Sequence, residues 1–225
     1  TGTQRAQRLQ MEHKRNRKVA RLIRRKQRRL ANLINLTLVK SYKRCSGSKS
    51  SNAQRIQNDN TLRYYQGYHD VACIVLSTVS GSTPVRVRQS VKNDLSSLEQ
   101  TAVATGLDMP AAILLQISEY HLRDCMRSNF AQLQTTLRLT MMPLIAYFDP
   151  QVHDFLIACE MEPYFALPWV ITWFSHEVRD TELTKRLFDF FIVSHPLMAI
   201  YVSVAMVLHP LNREDVLQTE CEFSM

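Results

Sequence analysis

The stretch LRYYQGYHDV, residues 62–71, sets two tyrosines, a glutamine, a glycine and a His-Asp pair directly ahead of the apolar run ACIVLSTV. The glutamine amide, at Gln66, both accepts and donates hydrogen bonds. A buried amide must find partners, so a glutamine at the start of a helix serves either as a cap or as a group aimed at a ligand. The residues alone leave those two roles open.

Two His-Asp pairs, His69-Asp70 and His153-Asp154, point to a different chemistry. With His121 upstream and Asp189 downstream, the second pair resembles the H…HD…D ligand order of helical HD-type metal phosphohydrolases, in which a divalent metal activates water. Seven histidines in one chain offer such combinations readily, and capping or hydrogen bonding is the simpler reading. In RLFDFF, Arg186 and Asp189 are three apart, close enough to interact with each other or to pin the helix to its neighbours. Trp169, Trp173 and Phe174 read as a core stripe.

These residues need a scaffold, and composition says which kind. The chain has 225 residues, 45% of them hydrophobic, enough for one sizeable core. Only 5 glycines and 8 prolines punctuate it, and Asn-Gly or Asp-Gly hairpin signals are missing, so mostly helix is expected. Helices are predicted over 68–79, 91–105, 110–126, 130–148, 151–160, 164–178, 180–193 and 197–208, with loops over 44–60 and 80–90. The stretch 190–211 has no Lys, Arg, Asp or Glu, but its internal Ser, His and Pro residues favour a buried helix over a membrane span. Five cysteines without a C-x-x-C pair read as reduced thiols of a cytosolic protein.

The net charge of +8 sums two unlike parts. Residues 1–44 hold 15 of the 28 Lys+Arg against one acidic residue, Glu12, so the rest of the chain is net acidic. From Val19 to Leu38, apolar residues recur at three-four spacing beside a thick Arg/Lys face, which predicts an amphipathic helix. Such a face is solvated, or it meets an anionic membrane surface or partner. With no aromatic interleaved before Tyr42 and no accompanying motif, nucleic acid is not expected.

Taken together, Tyr64-Tyr65-Gln66-Gly67, HLRDCM (121–126), VHDFL (152–156), FALPWVITWFSH (165–176), RLFDFF (186–191) and HPLMAIY (195–201) resemble, in order, the TBC-domain GTPase-activating proteins of Rab GTPases. The wording YYQGYHD, WFSH and HPLM is most similar to the membrane-anchored branch acting between endoplasmic reticulum and Golgi. The resemblance implies an all-α, multi-helix TBC domain over residues 30–225, incomplete at both ends, behind a basic helical segment over 1–29. It implies action at the cytosolic face of ER and Golgi membranes.

By that resemblance Gln66 is a glutamine finger supplied in trans to a Rab-family small GTPase, replacing the GTPase's own glutamine. Tyr64, Tyr65 and Gly67 would hold the finger and let the partner's loop come close. No cofactor or metal of its own is implied, since GTP and magnesium belong to the partner. The family's arginine finger, in an I-x-x-D-x-x-R motif, has no clean copy here. Arg63 in IQNDNTLR is one residue late and close to Gln66, and Leu9, Glu12 and Arg15 form a degenerate version. The expected position is therefore upstream of Thr1, with Arg15 or outright loss as the other readings. Loss would leave a non-catalytic Rab-binding scaffold.

Overall fold

A computed structural model describes residues 2–46, 61–79 and 106–219 of the chain. Among the described residues there are nine α-helices and no strand, as the sparse turn signals predict. The predicted helix over 91–105, and most of the two predicted loops, lie outside the described residues.

The first helix, α1 (Gly2–Ser46), is longer than the periodic stretch that predicts it. Its packed stripe begins at Leu30 and runs through the buried Leu33, Ile34, Leu36, Thr37 and Ser41. Further toward the N-terminus the same stripe is uncovered: Val19, Leu22 and Ile23 are each about half exposed. The packed half of α1 lies on α2 (Tyr68–Val79) and α3 (Asp108–Tyr120). Ion pairs of 2.7 Å from Lys40 to Asp108 and from Arg44 to Glu119 flank the α1–α3 contact.

A 3-10 turn over Arg123–Met126 leads to α4 (Ala131–Phe148), which carries Pro143 and so lacks one backbone donor inside the helix. Asp149 then caps α5 (Pro150–Ala158), accepting from the Val152 amide at 3.1 Å, with Pro150 in the first turn. A second 3-10 turn (Pro163–Ala166) runs into the short α6 (Leu167–Thr172). Asp180 opens α7 (Thr181–Val193) by accepting from the amides of Glu182 and Leu183. The uncharged stretch from Phe190 breaks at Ser194–Leu197 before α8 (Met198–Leu208), and α9 (Pro210–Gln218) follows. Among the described residues no helix is long and apolar enough to cross a membrane.

Helix α2 is the hub, in contact with α1, α3, α6 and α7. Its Tyr68 is fully buried, and its phenol meets Ser118 Oγ of α3 at 2.7 Å, which satisfies a hydroxyl that burial would otherwise penalise. Cys45, Cys73 and Cys125 are in no disulfide, whereas Cys159 is disulfide-bonded, so the reading of five reduced thiols does not hold.

Candidate partner-facing site at the start of the central helix

The four residues of YYQG form the turn that delivers the chain into α2. The Tyr68 amide donates to the Tyr65 carbonyl at 3.2 Å, closing a turn whose third residue, Gly67, has φ +104°. A positive φ at that position is what a type II turn requires, and glycine takes it without the strain a Cβ would bring. Gln66 therefore stands at the tip of the turn. Its side chain is exposed and makes no hydrogen bond among the described residues, so capping is not its role here.

The turn is fixed from below by α6. A short helix leaves its last four carbonyls without helical partners. Here the Trp169 carbonyl accepts from the Phe174 amide at 2.9 Å, the Val170 carbonyl from the Trp173 amide at 3.4 Å, and the Thr172 carbonyl from the Ser175 amide at 3.1 Å and hydroxyl at 2.6 Å. The remaining one, on Ile171, accepts from the phenol of Tyr65 at 2.6 Å. Tyr65 thus serves as the missing donor at the end of α6, and burial raises its phenol well above the ordinary tyrosine value. The ring itself lies against Tyr68 and Phe130, with centroids 5.5 and 6.1 Å away.

Helix α6 ends in two consecutive left-handed residues, Trp173 (φ 50°) and Phe174 (φ 62°), a conformation costing roughly 1–2 kcal/mol per non-glycine residue. Burial of both rings offsets that strain. Trp173 packs edge-on to Phe188 and His121, and Phe174 stacks on Phe191 and Trp169. The reversal turns Thr172 toward Gly67, where a Cβ on the glycine would stand 2.9 Å from Thr172 Cγ2. The core stripe expected of Trp173 and Phe174 is present, and it also shapes the floor of the turn.

Tyr64 is half exposed beside Gln66, with its hydroxyl 3.0 Å from His69 Nδ1. Asp70, in the first turn of α2, lies 3.7 Å from His69 Nε2 and 3.4 Å from His176 Nδ1 of the α6–α7 connection. Sequence reading singled out neither His176 nor Ile171 for this place. The contacts that bring them here join segments about 100 residues apart, and no local spacing encodes them.

The other candidates do not gather. Among the described residues no group of three His, Cys, Asp or Glu could hold a metal ion, so His121, His153, Asp154 and Asp189 form no metal centre. His153 pairs with its neighbour Asp154 at 3.1 Å. His121 rests against Tyr120 and Trp173, and burial lowers its pKa, favouring the neutral ring. Arg186 and Asp189 are both exposed on α7, and no ion pair joins them. Arg63 is exposed, anchored through its amide to the Met126 carbonyl at 2.8 Å. Arg15 is exposed on α1, about 22 Å along the helix axis from Leu30, where packing begins.

The Rab-GTPase-TBC domain family aligns with residues 54–217, and the chain belongs to it. Among curated proteins it is similar to TBC1 domain family member 20 of Homo sapiens, with 31% identity over 169 residues, covering 75% of this chain and 35% of that protein. It is also similar to the GTPase-activating protein gyp10 of Schizosaccharomyces pombe, with 33% identity over 157 residues, covering 70% of this chain and 34% of that protein. GTPase-activating protein GYP8 of Saccharomyces cerevisiae is 27% identical over 138 residues, 58% of this chain and 26% of that protein. The chain spans about a third of the length of TBC1 domain family member 20 and gyp10.

Proposed function

We propose that this domain stimulates GTP hydrolysis by a Rab-family small GTPase, with Gln66 acting in trans on the partner's nucleotide. The observation that carries the reading is the exposed, unpaired amide of Gln66 at the tip of a turn whose backbone is held by buried groups on both sides. A preorganised amide of this kind can accept from the attacking water and donate toward the transferring phosphoryl. The partner supplies GTP and magnesium, and the domain needs no cofactor of its own.

An arginine that neutralises charge on the phosphoryl would complete the mechanism and is worth roughly 10³ to 10⁵ in rate. Arg63 lies one residue past the family's spacing, and Leu9, Glu12 and Arg15 keep that spacing with Leu and Glu in place of Ile and Asp, so the reading places that cation upstream of Thr1. Two of the similar proteins are named GTPase-activating proteins, which supports the activity. The resemblance of YYQGYHD, WFSH and HPLM to the early-secretory branch supports the cytosolic face of ER and Golgi membranes as the proposed site of action.

Affinity for the nucleotide states of a Rab tests the reading, because a catalyst binds the transition state more tightly than the ground state. Adding aluminium fluoride to a GDP-loaded Rab should tighten its complex with a chain extended upstream to include the arginine segment. Equal affinity for the GDP, GTP and fluoride states would instead indicate a non-catalytic scaffold.

A second contact is favoured by α1. Val19, Leu22 and Ile23 are exposed on one stripe of a segment that carries nine Lys and Arg between residues 15 and 29 and no acidic residue. Apolar area beside dense positive charge suits an anionic membrane surface. Leu22→Ser with Ile23→Ser should weaken association with vesicles containing phosphatidylserine, and unchanged association would return the segment to a solvated face.

A further inference from the structure

We propose that His69, Asp70 and His176 form a relay that positions Tyr64, making that exposed ring a fixed partner contact beside Gln66. The inference rests on the reading of the Gln66 turn as the partner-facing site.

Tyr64 is 50% exposed, yet it is not left to rotate freely. Its hydroxyl meets His69 Nδ1 at 3.0 Å, and the two rings lie nearly parallel, 24° apart in plane. Its other neighbour is the buried Tyr68, which it meets edge-on at 6.4 Å. A tyrosine ordered before binding adds contact area without the ordering cost of a mobile side chain.

The Tyr64 hydroxyl can donate to Nδ1 or accept from it, and the relay takes the arrangement in which the phenol donates and the ring proton sits on Nε2. Asp70 faces Nε2 at 3.7 Å. That is too long for a hydrogen bond, but the carboxylate charge still favours the N–H on the nitrogen turned toward it. Asp70 is itself held in place. Its amide donates to the Gly67 carbonyl at 2.9 Å, and its second carboxylate oxygen is 3.4 Å from His176 Nδ1. The path therefore runs from the α6–α7 connection, through the first turn of α2, to the ring flanking Gln66. His69 and Asp70 touch no substrate in this account and act only through Tyr64.

Two measurements test the relay, one with the partner and one without. In Rab-stimulated hydrolysis by the extended chain, His69→Ala and Tyr64→Phe should each raise KM about two- to tenfold, the cost of ordering one side chain on binding. kcat should change far less than KM. The double variant should be no worse than the poorer single one, because both remove the same contact. His69→Asn, whose side-chain amide can replace the Nδ1 acceptor, should restore most of the loss. Additive losses, or His69→Asn behaving like His69→Ala, would overturn the relay.

Without any GTPase, imidazole 15N shifts of the free chain at neutral pH should show His69 as the Nε2–H tautomer. Asp70→Asn should shift it toward a mixture. An Nδ1–H tautomer in the unaltered chain would overturn the relay whatever the Rab assay shows. If the unaltered extended chain stimulates no Rab, the functional reading fails, while the 15N measurement still decides whether the relay exists.

Discussion

The phenol of Tyr65 donates a 2.6 Å hydrogen bond to the carbonyl of Ile171, which lies 106 residues further along the chain. That bond satisfies the one late carbonyl of α6 that the backbone leaves over, and it fastens the turn carrying Gln66 to the aromatic floor beneath it. The position of the proposed catalytic amide is thus set by the termination of a helix remote in sequence.

Tyr65→Phe keeps the ring and removes only the donor. A buried carbonyl left unpaired costs about 1–3 kcal/mol, which in a domain of this size lowers the melting temperature by several degrees, at about 2–4 °C per kcal/mol. Thermal unfolding followed by circular dichroism should show that drop, together with weaker Rab stimulation. An unchanged melting temperature would mean that the bond does not secure the turn.

Gly67→Ala should be destabilising for two separable reasons. The left-handed backbone at φ +104° costs a residue with a Cβ roughly 1–2 kcal/mol, and the new methyl would meet Thr172 Cγ2 at 2.9 Å. Thr172→Ser removes that methyl and keeps the hydroxyl bond to the Pro168 carbonyl, so adding it to Gly67→Ala should recover part of the stability lost. Denaturant unfolding of the two single variants and the double checks this, and strict additivity would contradict the close approach.

Much of this fold is legible locally. Helix α2 occupies the predicted 68–79, and α4, α7 and α8 lie within a residue of their predicted spans, because each couples an apolar stripe to Pro, Asp or Ser punctuation. The predicted helix over 164–178 fails. It breaks into a 3-10 turn, the six-residue α6 and two left-handed aromatics. Pro168 marks the junction of the 3-10 turn and α6, whereas no glycine or proline marks the reversal at Trp173 and Phe174, whose buried rings offset its strain. Helix α9 was not predicted, and none of its residues is buried, so no apolar stripe announces it. The stripe on α1 reads as one helix face broken only around Lys26, and of it the part from Leu30 onward is covered. Gln66 stood out by its type in a polar cluster, whereas its anchors, Ile171 and Thr172, required the folded chain.

Acid should loosen the packing of α5 against α9. The Arg213 guanidinium hydrogen-bonds Asp149 at 2.5 Å through Nε and reaches Gln151 at 2.8 Å, and it holds the Asp149 carboxyl below the usual aspartate value. Because the folded-state pKa is the lower one, the stabilisation is present above the unfolded value of about 3.9 and is lost as pH falls through the lowered folded value. Asp149→Asn should therefore be less stable than the unaltered chain at pH 7, with the difference shrinking toward pH 2. Thermal melts across that range test it, and a constant difference would assign Asp149 a capping role alone.

The most direct test of the central claim is single-turnover GTP hydrolysis by a responsive Rab, with the upstream-extended chain carrying either Gln66 or Gln66→Ala. The side chain is exposed and makes no hydrogen bond among the described residues, so the substitution should leave the circular dichroism and melting temperature unchanged. Stimulated hydrolysis should fall by about 10² or more, the scale on which removing one preorganised transition-state contact acts. Undiminished stimulation by the folded Gln66→Ala chain would contradict the assignment of this amide as the group delivered to the partner's nucleotide.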